Sequence, residues 1–587
     1  MLDTPTSQPA ITNVYPRPVA TGGHPGFERF AIFLVAALVP GVILFLLGIT
    51  FWISFVEGIP GKEVAYTVAH YAAVYQDPFT YTALLNTLGF AVTSVTVALA
   101  FGLPIAWLTE RTDLPAKSIV YTSMVIGLVI PTFFVAMGWV LLLHPRIGFI
   151  NMWIAQATGS DAFTIDISTI VGMGFVEGIS LAPLAFVITA ASFKAIDPSL
   201  EEAAYVHSMG RLATIFNVTL PLILPSALAA AIYIFVIGLS AFDVPAVIGL
   251  GRRVYTLSTL IYVTALSPEQ VAKYGIPAAV GALMFFIALV VTWWYTRVLR
   301  FARKYEVVGG KAYRVKTTSL GRLSIVAWCF CALFFIMKIG LPLLLVAWSS
   351  LLPYVQPPSW RAIELISLQQ FWSVPWDLVV RGSLNTLLLM SVVPTIVMAV
   401  CIPIAWVILR SGSRLRFVYE FLVFLPHAMP SIIFGVAALV ASLFVVGDFI
   451  PLYGTIWVIA TVYIVERITF GSRMVNGALI QVHRELEEAG YVTGLPVRVV
   501  LTRVLVPLLR AALFNGWLWL ALITFRELTV AALLAGPKNI TLPVVIWNLL
   551  QGGNMQQAAA VTIVMMAILM PIVLLYWYVG ARRVVSW

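Results

Sequence analysis

The chain has 587 residues, 61% of them hydrophobic and 10% charged, with a mean hydropathy of +0.98. A soluble domain is nearer half apolar and a quarter charged, so a water-soluble fold is excluded. The net charge of +10 is accounted for by basic loops on the cytoplasmic side of a membrane protein rather than by nucleic acid.

In chain order, residues 1–29 hold Pro5, Pro9, Pro16, Pro18 and Pro25 but no apolar core of a signal peptide. They read as a cytoplasmic segment whose following span directs insertion. Apolar runs then recur, each long enough to cross ~30 Å of hydrocarbon. In the first half the predicted spans are Phe30–Phe55, Leu84–Leu108, Ile119–Leu143, Ile170–Phe193, Leu222–Leu250 and Ala278–Tyr295. In the second they are Leu323–Leu351, Leu384–Leu409, Phe417–Val446, Thr455–Leu479, Ala511–Leu534 and Ala558–Tyr578. The prediction is therefore an all-α polytopic membrane protein of about twelve helices. Its parts are an N-terminal segment 1–29, a first half 30–305, a basic cytoplasmic linker 306–322 and a second half 323–587. With both termini cytoplasmic, most of the 35 Lys and Arg residues fall on the cytoplasmic side, as the positive-inside rule requires. Cys329, Cys331 and Cys401 lie inside apolar runs and lack metal or disulfide spacing.

The halves repeat each other. "LLNTLGFAVTSVTVALAFGLPIAWL" from Leu84 matches "SLNTLLLMSVVPTIVMAVCIPIAWV" from Ser383, with Asn86 and Asn385, Pro104 and Pro403, and Pro131 and Pro430 each 299 positions apart. Farther on, Glu202 and Glu488, and Pro221 and Pro507, are 286 apart. Six spans per half make the repeats parallel, related by an axis near the membrane normal.

Two charged stretches interrupt the apolar pattern between the fourth and fifth spans of each half. They are "EEAAYVHSMGRLATIFNVTLPLILPS" from Glu201 and "EEAGYVTGLPVRVVLTRVLVPLLRAA" from Glu487. "DPSLEEAA" carries helix-start chemistry, with either Asp197 as N-cap before Pro198 or Ser199 and Glu202 as a capping box. Gly210 and Gly494 are the expected ends of the short helices.

The pattern "EAA…G…LP" resembles the EAA loop of the membrane subunits of bacterial ABC importers. "IDPSLEEAA" and "FRELTVAALLAGP" look most like the double-length ferric-iron permeases, whose relatives carry thiamine, polyamines or aminoethylphosphonate. The resemblance implies the type I importer fold in the bacterial inner membrane and two ATP-binding subunits at the cytoplasmic face. It also implies a periplasmic solute-binding protein that delivers a small cargo, ferric iron by this likeness. It gives coupling roles to Glu201, Glu202, Ala203, Ala204 and Gly210, and to Glu487, Glu488, Ala489 and Gly494. Glu202 and Glu488 would be the anchors. The sequence departs from the pattern where Ser208 stands in place of the usual Gly and Gly490 in place of the second Ala. ATP and magnesium belong to the partner subunits, because "GIPGKE" and "GGKAY" both miss the phosphate-loop spacing. No metal set or catalytic cluster is visible, so no enzymatic activity is expected of this chain.

Charges inside spans cost ~2.5–3.5 kcal/mol each on insertion scales and normally face protein or water. Asp243, Arg526, Glu527 and His427 are candidates for the translocation path; interhelical packing is the competing reading. Glu466 is expected to share a helix face with Arg473, two turns away, rather than with Arg467, and these charges either serve the structure there or snorkel to the cytoplasmic surface. A gradient-driven carrier of twelve spans is the alternative function, although "TERTDLPAK" lacks the usual loop signature of such carriers.

Overall fold

The structure, a computed structural model, describes residues 25–58, 64–160, 162–266, 274–302 and 318–584. Most of the N-terminal segment and of the basic linker lie outside the described residues. The first half contains α1 (Pro25–Ser54), α2 (Pro78–Arg111), α3 (Lys117–Gly127), α4 (Thr132–Leu143), α5 (Ile170–Ala195), α6 (Pro198–Val206), α7 (Leu220–Ser240) and α8 (Gly275–Ala302). The second contains α9 (Leu323–Ser350), α10 (Trp376–Leu409), α11 (Arg416–Phe424), α12 (Ser431–Val440), α13 (Ile456–Ile480), α14 (Glu485–Val492), α15 (Val506–Phe525), α16 (Thr529–Leu534) and α17 (Met555–Val584). A small antiparallel hairpin, β1 (Val56–Gly58) with β2 (Val64–Tyr66), follows α1 and sets Val56 opposite Tyr66.

Among the described residues, eight helices are long and apolar enough to cross a membrane, and two bent pairs raise the number to ten. The other two expected spans are present as α13, of 25 residues, and α15, of 20. Glu466, Arg467 and Arg473 in α13, and Arg510 and Asn515 in α15, lower their hydropathy. Both occupy the positions that α5 and α7 hold in the first half.

The repeat is visible in hydrogen bonds. Asn86 donates to the Tyr255 carbonyl at 2.9 Å, and Asn385 to that of Ile540 at 2.8 Å. Thr87 Oγ1 accepts from the Leu257 amide and Thr386 Oγ1 from that of Leu542, both at 2.9 Å. Each half is built on a trio of mutually packed helices, α2, α5 and α7 in one and α10, α13 and α15 in the other. Small residues let the backbones approach closely, as membrane helices require. A Cβ on Gly178 would stand 2.5 Å from Val97, and one on Gly471 would stand 2.6 Å from Val397. The first helix of each half crosses to the other: α1 packs on α8 and also on α10 and α12, while α9 packs on α17 and also on α4.

The third and fifth spans are discontinuous in both halves. Pro131 and Pro430, lacking an amide N–H and fixed near φ −60°, stand at 98° bends between α3 and α4 and between α11 and α12. The expected span Leu222–Leu250 stops as an α-helix at Ser240 and resumes as a π-turn at Pro245–Gly249. The expected span Ala511–Leu534 likewise breaks between α15 and α16. Irregular backbone at membrane depth is tolerated only where protein or a water-lined cavity surrounds it. These breaks therefore mark the middle of the assembly.

Candidate functional site

Two regions carry the charged groups of interest: the paired EAA loops at one end of the helices, and a polar seam where the helix breaks meet.

Helix α6 begins at Asp197, whose Oδ1 accepts from the Ser199 amide at 2.9 Å. The aspartate cap that the sequence allowed is formed, and that amide holds its carboxyl below the usual aspartate value. The helix then divides into two faces. Glu201 and Ala204 are buried, while Glu202 and Ala203 are exposed. In α14 the corresponding Glu487 and Gly490 are buried, and Glu488 and Ala489 are exposed.

The buried glutamates are held by partners that sequence reasoning did not single out. Arg111, in the last turn of α2, donates to Glu201 at 2.5 Å and to the Ile196 carbonyl at 3.2 Å. Arg410, at the end of α10, donates to Glu487 at 2.7 Å and to the carbonyls of Val482 and Leu479 at 2.7 and 3.0 Å. Arg111 and Arg410 are 299 positions apart, and Ile196 and Val482 are 286 apart, so one strut is built twice. The repeat offset was the signal that could have found both arginines. Burial raises the Glu487 carboxyl above its ordinary value, and Arg410 opposes that shift. Glu201 has a further donor, the Thr219 hydroxyl at 2.9 Å, whose counterpart in the second half is Leu505.

The helix ends correct one expectation. Gly210 is not the turn residue: Ser208 takes the left-handed conformation, at φ +59°, where the second loop has Gly494 at φ +83°. The amide of Met209 closes on the Ala204 carbonyl and that of Leu495 on Gly490, both at 3.0 Å, which is the Schellman pattern. Gly490 packs tightly, since a Cβ there would stand 3.0 Å from a methyl of Val500. A π-turn then leads into each fifth span, at Ile215–Thr219 and Val500–Leu505.

In the polar seam, Asp243 sits in the break after α7 and accepts from Thr132, the first residue of α4, at 2.7 Å. It also accepts from Thr529 of the second half at 3.4 Å. The N-terminus of α4 thus faces a carboxylate, the favourable sense for a helix dipole. Arg526, in the break after α15, reaches across to the first half and donates to the carbonyls of Leu128 at 2.8 Å and Ile130 at 3.2 Å. Those carbonyls are freed by the bend at Pro131. Glu527 accepts from the Val530 amide at 3.1 Å through Oε1. Its Oε2 is buried with no hydrogen-bond partner among the described residues.

The structure therefore brings Asp243, Arg526 and Glu527 together. It adds Glu177 of α5, close enough to act electrostatically on Asp243 and Arg526, and Lys338 of α9, close enough to act on Glu177 and Arg526. Lys338 is buried, lies in a π-turn and donates to the Ser180 carbonyl at 3.2 Å. His427 is separate from this group. It lies at the second bend, stacked on Tyr233 of α7 at 4.8 Å and edge-on to Phe470 of α13 at 5.6 Å. The expectation that Glu466 would go with Arg473 rather than with Arg467 is corrected too. Glu466 pairs with its neighbour Arg467 at 3.1 Å because both long side chains bend into the same buried seam, and Arg473 instead covers the Phe424 ring.

The fold and these loops define a multi-pass transport permease made of two fused halves that repeat one topology. Residues 100–304 and 399–584 each match the family described as binding-protein-dependent transport system inner membrane component. The two matches cover well over half of the chain, which belongs to that family. The chain is similar to the ferric transport system permease protein FbpB of Actinobacillus pleuropneumoniae, with 22% identity over 83% of this chain and 70% of that protein. It is also similar to the Fe(3+)-transport system permease protein FbpB 2 of Haemophilus influenzae, with 22% identity over 84% of this chain and 89% of that protein. The molybdenum transport system permease protein ModB of Escherichia coli is 25% identical over 37% of this chain and 94% of its own length.

Proposed function

We propose that this chain is the transmembrane unit of an ATP-driven importer in the bacterial inner membrane, with both termini cytoplasmic. It moves ferric iron delivered by a periplasmic binding protein. Two ATP-binding subunits dock on the exposed faces of α6 and α14, where Glu202 with Ala203 and Glu488 with Ala489 are presented outward. The observation that carries this reading is the duplicated strut. Each EAA helix has one exposed face and the other fixed, through Glu201–Arg111 or Glu487–Arg410, to the end of a second span. A buried ion pair with further bonds to backbone carbonyls resists being pulled apart, so displacement of the short helix is delivered to α2 or α10 rather than absorbed in the loop.

The seam at Asp243, Arg526 and Glu527 is then where movement of the halves is felt. The contacts from Arg526 to Leu128 and Ile130 and from Thr529 to Asp243 join opposite halves, and they must part if the halves separate. His427, held between aromatic rings, is assigned to packing at the second bend rather than to cargo. Ferric iron is favoured over other cargoes by the two relatives that match along most of the chain, and molybdenum, named for the third, is the first alternative to screen.

The test is reconstitution into liposomes with the cognate ATP-binding subunit and binding protein. ATP-dependent accumulation of radioactive iron is expected, and the Glu202→Ala/Glu488→Ala double variant is expected to lose it while keeping its fold. Uptake that needs no nucleotide and follows an imposed ion gradient would replace this reading with a gradient-driven carrier.

A further inference from the structure

Where two halves are related by a two-fold axis, a residue can touch its own counterpart only on that axis. The hydrogen bonds that display the repeat fix the counterparts beyond the fifth spans. Tyr255 and Ile540, and Leu257 and Leu542, are 285 positions apart and make the same bonds. By that offset Tyr262 and Trp547 are counterparts, and they meet. The Trp547 indole N–H donates to the Tyr262 hydroxyl at 3.0 Å, and the two rings stand edge to face with centroids 6.2 Å apart. Asp243 and Thr529, 286 apart like the EAA glutamates, are a second counterpart pair in contact, at 3.4 Å. Both contacts therefore straddle the axis between the halves.

The two contacts lie at different depths. Tyr262 and Trp547 belong to the short helices Leu257–Ala265 and Leu542–Gln551. Thr87 and Thr386 hold these helices at the ends of α2 and α10 remote from the EAA loops. Thr87 is 24 positions from Arg111, about 36 Å along α2. Close to Trp547, Val545 packs on Gly382, where a Cβ would stand 3.0 Å from it. Gly238, just before the break that holds Asp243, packs on Ala91, which a Cβ there would meet at 3.0 Å. The counterpart of Ala91 is Met390, eight positions farther toward the EAA side than Gly382. The aromatic pair is thus the outer contact and Asp243–Thr529 the inner one. Phe242 joins them: its ring lies 5.0 Å from that of Tyr262 and 6.2 Å from that of Trp547, next in sequence to Asp243.

Whatever passes between the halves along their axis must part a contact that straddles it. Trp547 and Phe242 are each 2% exposed, so the outer contact is closed to solvent as well as bonded. It is also built to part. One hydrogen bond between neutral groups and an edge-to-face ring contact hold far less firmly than the buried ion pairs of the struts.

We propose that Tyr262 and Trp547, backed by Phe242, are the gate that closes the path on the side opposite the EAA loops. The gate stands between that side and the carboxylate of Asp243. It rests on the reading of this chain as an inner-membrane permease whose path runs between its halves.

Bacterial spheroplasts producing the full chain expose only its outer face to a small membrane-impermeant methanethiosulfonate. Thr529→Cys supplies a thiol at the inner contact, with Cys329 replaced and the buried Cys331 and Cys401 kept. Labelling is read peptide by peptide by mass spectrometry. With Tyr262 and Trp547 in place, the Thr529→Cys thiol is expected to react slowly. Tyr262→Ala and, separately, Trp547→Leu are expected to speed its labelling about tenfold, the effect of weakening the closed state by ~1.4 kcal/mol. Cys331 and Cys401 should stay protected in both. Fast labelling with the pair intact would overturn the gate without need of any variant, as would the absence of acceleration in either variant. A parallel rise at Cys331 and Cys401 would overturn it too, since it marks a contact that only holds the halves together. Labelling needs neither iron nor ATP, so failure of the gate is distinguishable from failure of the importer reading, which the uptake assay tests.

Discussion

In the first EAA loop Glu201 is held by Arg111 and Thr219 and the helix start is capped by Asp197, whereas its turn is made by Ser208 in a left-handed conformation. In the second loop Glu487 has Arg410, the helix start has no side-chain cap, and the turn is made by Gly494. What the two share is the strut, the Schellman turn and the following π-turn. What differs is how each end is stabilised. The first loop offsets an unfavourable turn with additional polar contacts; the second has the favourable turn and relies on three glutamates in its first turn, Glu485, Glu487 and Glu488, to complement the helix dipole. The comparison separates what fixes the loop's position from what merely tunes it.

Removing the shared part should have the largest effect. Arg111→Met or Arg410→Met leaves a buried carboxylate without its cation, a loss of about 3–5 kcal/mol. Thermal unfolding in detergent is expected to fall clearly for both, and a negligible change in either would mean that the strut is not structural in that half. The seam is the next test, because there the halves are not equivalent: Arg526 has no cationic counterpart, Ser240 standing at the matching position. Arg526→Leu bares the Leu128 and Ile130 carbonyls and is expected to cost about 3 kcal/mol, from two hydrogen bonds to a charged donor. Transport should fall more than stability does if these contacts part and re-form during the cycle.

The turns give smaller effects of opposite sign. Ser208→Gly should gain, and Gly494→Ser lose, about 1 kcal/mol, because only glycine enters the left-handed region without cost. Hydrogen exchange at the amides of Met209 and Leu495 would read both changes locally. The smallest effect is at the cap. Asp197→Ala should speed exchange in the first turn of α6 while leaving α14 unchanged. Since the Asp197 carboxyl is held below its ordinary value, its contribution is present above the unfolded value and lost only as pH falls through the lower, folded one. Above the ordinary aspartate value of about 3.9, the cap should therefore show no titration.

Much of this was legible from the repeat. The paired asparagines, prolines and EAA stretches located the halves, their common topology and the two loops, because internal duplication survives in polar and backbone-restricting positions. Arg111 and Arg410 were passed over because, at span ends, they resemble the basic residues that the positive-inside rule places there anyway. The Glu466–Arg467 pair defeated helical-wheel reasoning, since two adjacent side chains long enough to bend can enter one buried seam. Helix breaks in the fifth spans were hidden within continuous apolar runs, and only Asp243 and the Arg526–Glu527 pair betrayed them. Glu177 and Lys338, met singly in apolar surroundings, gave no hint that the fold would bring them to the same seam.

The most direct test of the account places single cysteines on the two faces of the EAA helices, after Cys329, Cys331 and Cys401 are replaced. The chain is assembled with its ATP-binding subunit, and a short bifunctional reagent links each cysteine to that subunit. Ala203→Cys and Ala489→Cys, on the exposed faces, are predicted to cross-link, and Ala204→Cys, on the buried face, is not. Equal cross-linking from Ala204→Cys, or none from either exposed position in a complex that still hydrolyses ATP, would contradict the two-faced coupling helix.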